Sequence, residues 1–448
     1  VKHQGKLLEI LKKVLPRDVK AEISVLARSV GETCAQANAL IQGSHRDELL
    51  VDVRVEQGGF VGRHTDSRLT IEGLRKAIAK ARSNAAQGIP GPLLLTGDTG
   101  YREMKVFFPA TAGQTPAQRA ESLAPLIDMA RRLDVSIDAS LCSETGQLTI
   151  ANTAGLAATV PVTFARFAVA VSGRGQGRGY GYACSRDAGH LRLMDVFLEA
   201  AAKSQASAFP QSIAAGQYIV VLEPAAVAAL LGVLAKTAFS GRAFLRRCSP
   251  VTEIGAKIFG DNINIWDDGL DPRGLAVPCD FQGVPKQRLH LVSKGAVVNV
   301  ACNNEVAAAL NLPGTGHASG PGTDGSQPSH IFLEAGNAML DDMIASTRRG
   351  ILVSRLDGLK ILDSRRCLVT GVTAGGTLLI ENGRLTAALP GLRFIQDLVA
   401  LFNQVEMIGD EPRLFGGLWG GVSAPALKAD GFTVLSSPAG LGLRQGVW

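Results

Sequence analysis

Seven histidines and several groups of aspartates are the side chains in this 448-residue chain best suited to metal or acid-base chemistry. His3, His45, His64, His190, His290, His317 and His330 are each followed by a residue other than Glu. The chain therefore has neither His-Glu-x-x-His nor His-Glu-x-x-x-His, the helical patterns that give zinc two imidazole ligands beside a carboxylate base. His317 and His330 share a segment with Asp324, a trio with the chemistry to hold zinc, but its spacing matches no common ligand pattern. The Gly-rich stretch 314–328 that carries them reads as a mobile loop. Carboxylates pair at Asp267-Asp268, followed by Asp280, and at Asp341-Asp342, followed by Asp363. Adjacent residues on an extended strand face opposite sides, so turn and capping roles are expected rather than an acid-base dyad.

Two further signals are weaker. The run from Gly173 to Tyr182 alternates glycine with Arg174, Gln176 and Arg178, but it lacks a terminal Lys-Ser or Lys-Thr and leads into another extended stretch. It reads as a hairpin or flexible loop, not a phosphate loop. Ser423 lies close to Gly420-Gly421, yet the residue two beyond it is Pro425, which breaks the Gly-x-Ser-x-Gly elbow of a serine hydrolase.

Composition bounds the class. With 46% hydrophobic and 19% charged residues, the chain can bury a large core and is neither disordered nor a small disulfide scaffold. Its net charge of +6 comes from 46 basic and 40 acidic residues dispersed along the sequence, and aromatics make up 5%; this pattern argues against nucleic-acid binding. Seven cysteines without a Cys-x-x-Cys pair exclude a zinc ribbon. The longest apolar stretch, 225–235, is too short to span a bilayer, which takes about 20 residues. The first residues lack the pattern of a signal peptide, so no membrane association and a reducing cytoplasm are expected.

The elements that must position these side chains fall into two sets. An opening helix around Leu7, Leu8, Ile10, Leu11 and Val14 ends at Pro16, and strands are expected at 21–28 and 49–56. A helix over 70–86 starts at Thr70 as cap, with Ile71, Leu74, Ile78 and Ala81 as its buried stripe. Residues 87–116 read as a long surface connection, 116–133 and 194–208 as helices, and 135–143, 147–151 and 159–172 as strands. After Pro210 the pattern shifts: a strand at 218–222, a helix over 225–241, then mostly strands, with Gly375-Gly376 and Asn382-Gly383 as hairpin turns. The fold class is α+β: an N-terminal α+β domain over 1–210 and a large, mostly antiparallel, β-rich domain with a few helices over 211–448.

Several short pieces of the second half, in order, resemble the TldD/PmbA family. They are Ile265-Trp266-Asp267-Asp268-Gly269, Pro278-Cys279-Asp280-Phe281-Gln282-Gly283-Val284-Pro285, Leu291 to Gly295, Thr315-Gly316-His317-Ala318, Gly350 to Val353, Gly371-Val372 and Glu381 to Gly383. Gln282 departs from the glutamate common in the family. The resemblance implies two kinds of subunit: a TldD-type zinc peptidase bearing His-Glu-x-x-x-His on a helix and a later cysteine ligand, and a TldE/PmbA type that lacks them.

On that resemblance the helix over 225–241 occupies the motif's place. Leu231, Gly232 and Lys236 stand where histidine, glutamate and histidine would be needed, and leucine cannot ligate zinc, glycine cannot act as a base, and a lysine cation opposes a metal. No cysteine follows Cys367, so the late ligand expected near 416–421 is missing too. The resemblance thus implies a metal-free, TldE-like pseudo-enzyme subunit without a cofactor of its own, paired with a zinc-bearing TldD-like catalytic subunit or with itself, and handling extended peptides by strand addition to a sheet edge. Asp267, Asp268, Asp280, Gln282, Gly283 and His317 are the residues expected to shape its cleft or scaffold. A stand-alone peptide hydrolase, and a homodimeric peptide-binding or regulatory protein of the DNA-gyrase-modulator kind, remain as alternatives.

Overall fold

Strict alternation along the strand Ala21–Gln36 sets up the first layer. Ile23 and Val25 point to one face and are fully buried, with Val51, Val53 and Val55 of the neighbouring strand Ser44–Gln57, beneath the helices Gln4–Val14 and Ile71–Asn84. The computed structural model describes residues 4–41 and 43–436. The strands of this sheet run antiparallel in the order Ile89–Pro90, Phe60–Asp66, Ser44–Gln57, Ala21–Gln36, Ser136–Asn152, Ala157–Ser172 and Arg178–Ser185. Two more helices, Pro116–Arg132 and Leu193–Ala206, cover the rest of the same face through Leu123, Leu126, Phe197 and Ala200. Thr70 caps Ile71–Asn84 as expected, accepting from the Gly73 amide, whereas Ile71 is exposed because the buried stripe follows Leu74, Ala77, Ile78 and Ala81.

Two strands expected over 135–151 are one. Ser136–Asn152 runs unbroken because Gly146 still pairs with Arg28 on one side and Val162 on the other. The glycine-rich run after Gly173 is a hairpin, joining Ala157–Ser172 to Arg178–Ser185.

The second half is β-rich with a few helices, as expected, and holds two sheets. One is a ring: Arg349–Asp363, Gly216–Leu222, Leu427–Ser436, Arg393–Asp397 and Leu368–Glu381 pair in turn, and the last pairs back with the first. The other runs Ala296–Val297, Leu289–Ser293, Ile265–Asp267, His330–Leu333, Gly420–Ala424, Arg413–Gly417. One pairing in each sheet is parallel. Asn382-Gly383 forms the expected tight turn, with φ of 50° and 76°. Gly375-Gly376 does not: both sit inside Leu368–Glu381 as a bulge where the register shifts between Val353 and Arg355.

Between the sheets lies the helix Pro224–Lys236, shorter than the expected 225–241. Ala226, Val227, Leu230, Leu231 and Leu234 are all fully buried in the main core of this half. A helix buried almost all round matches a sequence apolar all round.

Candidate functional site at the junction of the halves

The second face of the first sheet meets the second half. Leu148, Ile150, Val160, Val162 and Phe164 pack there against Leu275, Val277, Cys279 and Leu418. Arg186 fastens the junction: fully enclosed and with no carboxylate beside it, its guanidinium donates to the carbonyls of Thr163, Leu418, Leu275 and Ala276 at 2.7–3.1 Å.

The turn around Asp280 reaches into this junction. Asp280 is buried, and its two oxygens accept from the amides of Gln282, Val284 and Ala318 at 2.8–2.9 Å. Burial pushes its carboxyl upward, against the pull of Lys286 and these amides. Gly283 has φ of +71°, and a Cβ there would lie 2.4 Å from Leu156 of the first half; the Tyr101 hydroxyl donates to its carbonyl. Phe281 meets Trp419 edge to face, with ring centroids 5.4 Å apart. Gln282 donates its amide to Glu305 at 2.7 Å and accepts from the Asn304 amide.

Asp267, Asp280 and His317 do come together, but as scaffold. His317 Nε2 lies 2.8 Å from Asp267 Oδ1 with both side chains fully buried, at an angle poor for a hydrogen bond. The other Asp267 oxygen accepts from the amides of Ser329 and His330 at 2.6 Å each. Burial would raise the Asp267 carboxyl, but its neighbours His317 and Lys286 outweigh that and hold it well below the usual carboxylate range. His317 Nδ1 lies 2.9 Å from Thr315 Oγ1, which accepts from the Cys302 amide and donates to its carbonyl. This is the spatial order of an Asp-His-Thr relay with the hydroxyl already engaged and the trio sealed from solvent. His330, pushed down to about 3 by burial, is held between Ser329 and the Leu275 carbonyl.

The trio His317, His330 and Asp324 does not assemble, since Asp324 is half-exposed and pairs with Arg63 at 2.9 Å. The stretch 314–328 that reads as a mobile loop is pinned by Thr315, His317 and Ser326, all buried. Asp268 is half-buried and closes its own turn on the Leu270 amide, so Asp267-Asp268 is no dyad. Among the described residues, no group of three or more His, Cys, Asp and Glu is arranged to hold a metal ion.

The positions where a zinc motif would stand do not fit zinc either. Leu231 is fully buried among apolar neighbours, Gly232 is half-buried and Lys236 is exposed at the helix end. Where a late cysteine would be needed, 416–421 forms the turn between Arg413–Gly417 and Gly420–Ala424, with Leu418 and Trp419 packed on the first half.

Beside the Asp280 turn a cavity of about 910 Å³ opens between the halves. One wall is the first sheet. Cross-strand pairing sets Glu22 opposite Arg54 and Arg54 opposite Arg63, and period-2 alternation turns them away from the apolar face that carries Ile23 and Val53. Arg54 holds Glu22 and Glu305, each at 2.7 Å; Arg63 holds Asp52 and Asp324. Burial raises the Glu22 carboxyl despite Arg54, and Glu22 Oε2 has no hydrogen-bond partner. Sequence reading missed this cluster. The available signal was the alternation of Asp52 and Arg54 with Val51, Val53 and Val55, which sets charge on the face opposite the apolar one.

Among the described residues, no helix is long and apolar enough to cross a membrane. Residues 215–436 match the PmbA/TldA metallopeptidase C-terminal domain. A metalloprotease TldD homolog of Haemophilus influenzae is 25% identical over 196 residues, 41% of this chain and 40% of that protein. An uncharacterized protein of Methanocaldococcus jannaschii is 36% identical over 102 residues, 22% of this chain and 24% of that one. The aligned stretches thus span less than half of either relative. Two crystal structures share the fold over nearly the whole chain. A candidate modulator of a DNA gyrase from Thermotoga maritima has a TM-score of 0.85 at 18% identity, covering 97% of this chain and 99% of its own. TldE from Thermococcus kodakarensis has a TM-score of 0.84 at 20% identity, covering 96% and 99%. At these identities the likeness is one of fold.

Proposed function

This chain belongs to the TldD/PmbA family, and on that premise we propose that it is the metal-free, accessory subunit of a peptidase complex that processes unfolded or small peptides. One observation carries the reading. Leu231, at the place of a first zinc-binding histidine, is 0% exposed and faces the apolar core. The helix Pro224–Lys236 is built to hold two sheets together, and a ligand there would have to displace packing to reach a metal.

Such a subunit contributes surface. A catalytic partner of the TldD type would supply zinc and the base, while this chain supplies walls that confine an extended peptide and exclude folded proteins. Its place would be the cytoplasm. Co-purification from the native cell tests the proposal: a partner bearing His-Glu-x-x-x-His in equal amount supports it. A self-pair, or stoichiometric zinc with peptide cleavage by this chain alone, overturns it.

A further inference from the structure

The cavity between the halves is polarised. Glu22 and Asp52 of the first sheet, together with Glu305 and Asp324 of the second half, share the two guanidinium groups of Arg54 and Arg63, so negative charge is in excess around them. The same cavity is lined from the second half by Arg242 and Arg246, at the short helix Gly241–Leu245. Among the described residues neither forms an ion pair, and the secluded Arg242 Nε has no hydrogen-bond partner. Between the charged groups the lining is apolar, with Leu94, Pro90, Leu245 and Phe281. The volume of about 910 Å³ lies within the range of sites that enclose small ligands.

The four carboxylates have two guanidinium groups between them, Arg242 and Arg246 have no ion pair among the described residues, and the unsatisfied atoms are one acceptor, Glu22 Oε2, and one donor, Arg242 Nε. A single ligand complements both: a cationic donor at one end, an anion at the other, an apolar body between. Gln282 tunes the cavity, because its neutral amide donates to Glu305 where a carboxylate would add a further negative charge.

We propose that this cavity binds a short peptide with both termini free, its carboxylate on Arg242 and Arg246 and its ammonium group toward Glu22 and Glu305. The choice of a peptide among zwitterions rests on the peptide-processing reading above; the requirement for opposite charges flanking an apolar body rests on the cavity alone.

Calorimetric titration of the purified chain with the tripeptide alanyl-leucyl-alanine, its N-acetyl form, its C-terminal amide and inorganic phosphate tests the assignment. The free tripeptide should bind, and blocking either end should weaken binding about tenfold or more, the usual worth of a charge-assisted contact. Arg242→Ala with Arg246→Ala should weaken the free and acetylated forms by a similar factor while leaving the amide unchanged. If that pair impairs folding, as read by thermal melting, Arg246→Gln alone replaces it, since Arg246 is exposed. Equal binding of free and blocked peptides, displacement by phosphate regardless of the amine, or no binding at millimolar peptide overturns the proposal. Pairing with a catalytic subunit is measured separately: pairing without peptide binding sinks only the cavity assignment, and peptide binding without pairing sinks only the accessory role.

Discussion

Rebuilding the metal motif in this helix should fail, and the structure says by how much. Leu231→His removes a fully buried leucine from the main core of the second half. That forfeits roughly 1.5–3 kcal/mol of burial, and an imidazole without partners there costs about 1–3 kcal/mol more. The single change should therefore destabilise by about 2.5–6 kcal/mol, a large share of a typical domain's stability. Gly232→Glu is different: a Cβ at Gly232 meets nothing within 4 Å, and replacing a helix-interior glycine is near neutral or stabilising by up to about 1 kcal/mol. Lys236→His, at an exposed position, should fall within about 0.5 kcal/mol of the parent. Urea unfolding of the three single variants, with zinc content of the triple variant by mass spectrometry, reads all of this. A triple variant that keeps parental stability and binds one zinc per chain would refute the account of the helix as packing.

Other consequences concern the junction. Arg186→Met leaves up to four buried carbonyls without their donor and should cost at least about 3 kcal/mol, with Arg186→Lys in between because an ammonium group cannot reproduce the fork; urea unfolding measures both. Asp267→Asn should destabilise at neutral pH, and the gap should close in acid. Because the folded-state carboxyl is held below its unfolded value of about 3.9, its contribution is present above that pH and lost as pH falls further toward the folded value. Unfolding free energies of the two proteins across this range check it, and a gap that widens in acid would contradict it. Gln282→Glu sets a carboxylate against Glu305 in place of a donated hydrogen bond. It should destabilise by about 1–3 kcal/mol at neutral pH; thermal melts of the two proteins report it.

Much of the first sheet was legible because its strands alternate cleanly and Thr70 caps its helix as its position implies. The missed continuity of Ser136–Asn152 shows the limit. Ser143, Glu144, Thr145 and Gly146 have turn chemistry, yet flanking strands on both sides keep them extended. The charged wall of the cavity was illegible for a related reason: Glu22, Arg54, Arg63 and Glu305 lie far apart in sequence and meet only through strand pairing and the docking of the second half. The ring of five strands was hidden because its closure depends on a parallel contact between Gly216–Leu222 and Arg349–Asp363, more than a hundred residues apart.

The residues that carry the family resemblance make physical sense once the backbone between 267 and 330 is considered. Between Asp267 and Leu289 there is no strand, and between Val297 and His330 the only helix is Asn304–Leu310, so buried amides in this region have few ladders to join and must find other acceptors. Side chains supply them: Asp280 takes three amides, Asp267 two, Asn303 and Thr315 one each. Removing any of these acceptors strands N–H groups in the interior at about 1–3 kcal/mol apiece. That demand arises from the fold and is indifferent to whether the helix Pro224–Lys236 holds a metal. A helix without metal ligands and the Asp267, Asp280 and His317 network are therefore compatible in one chain: the network answers to the backbone around it and holds the cavity walls in place.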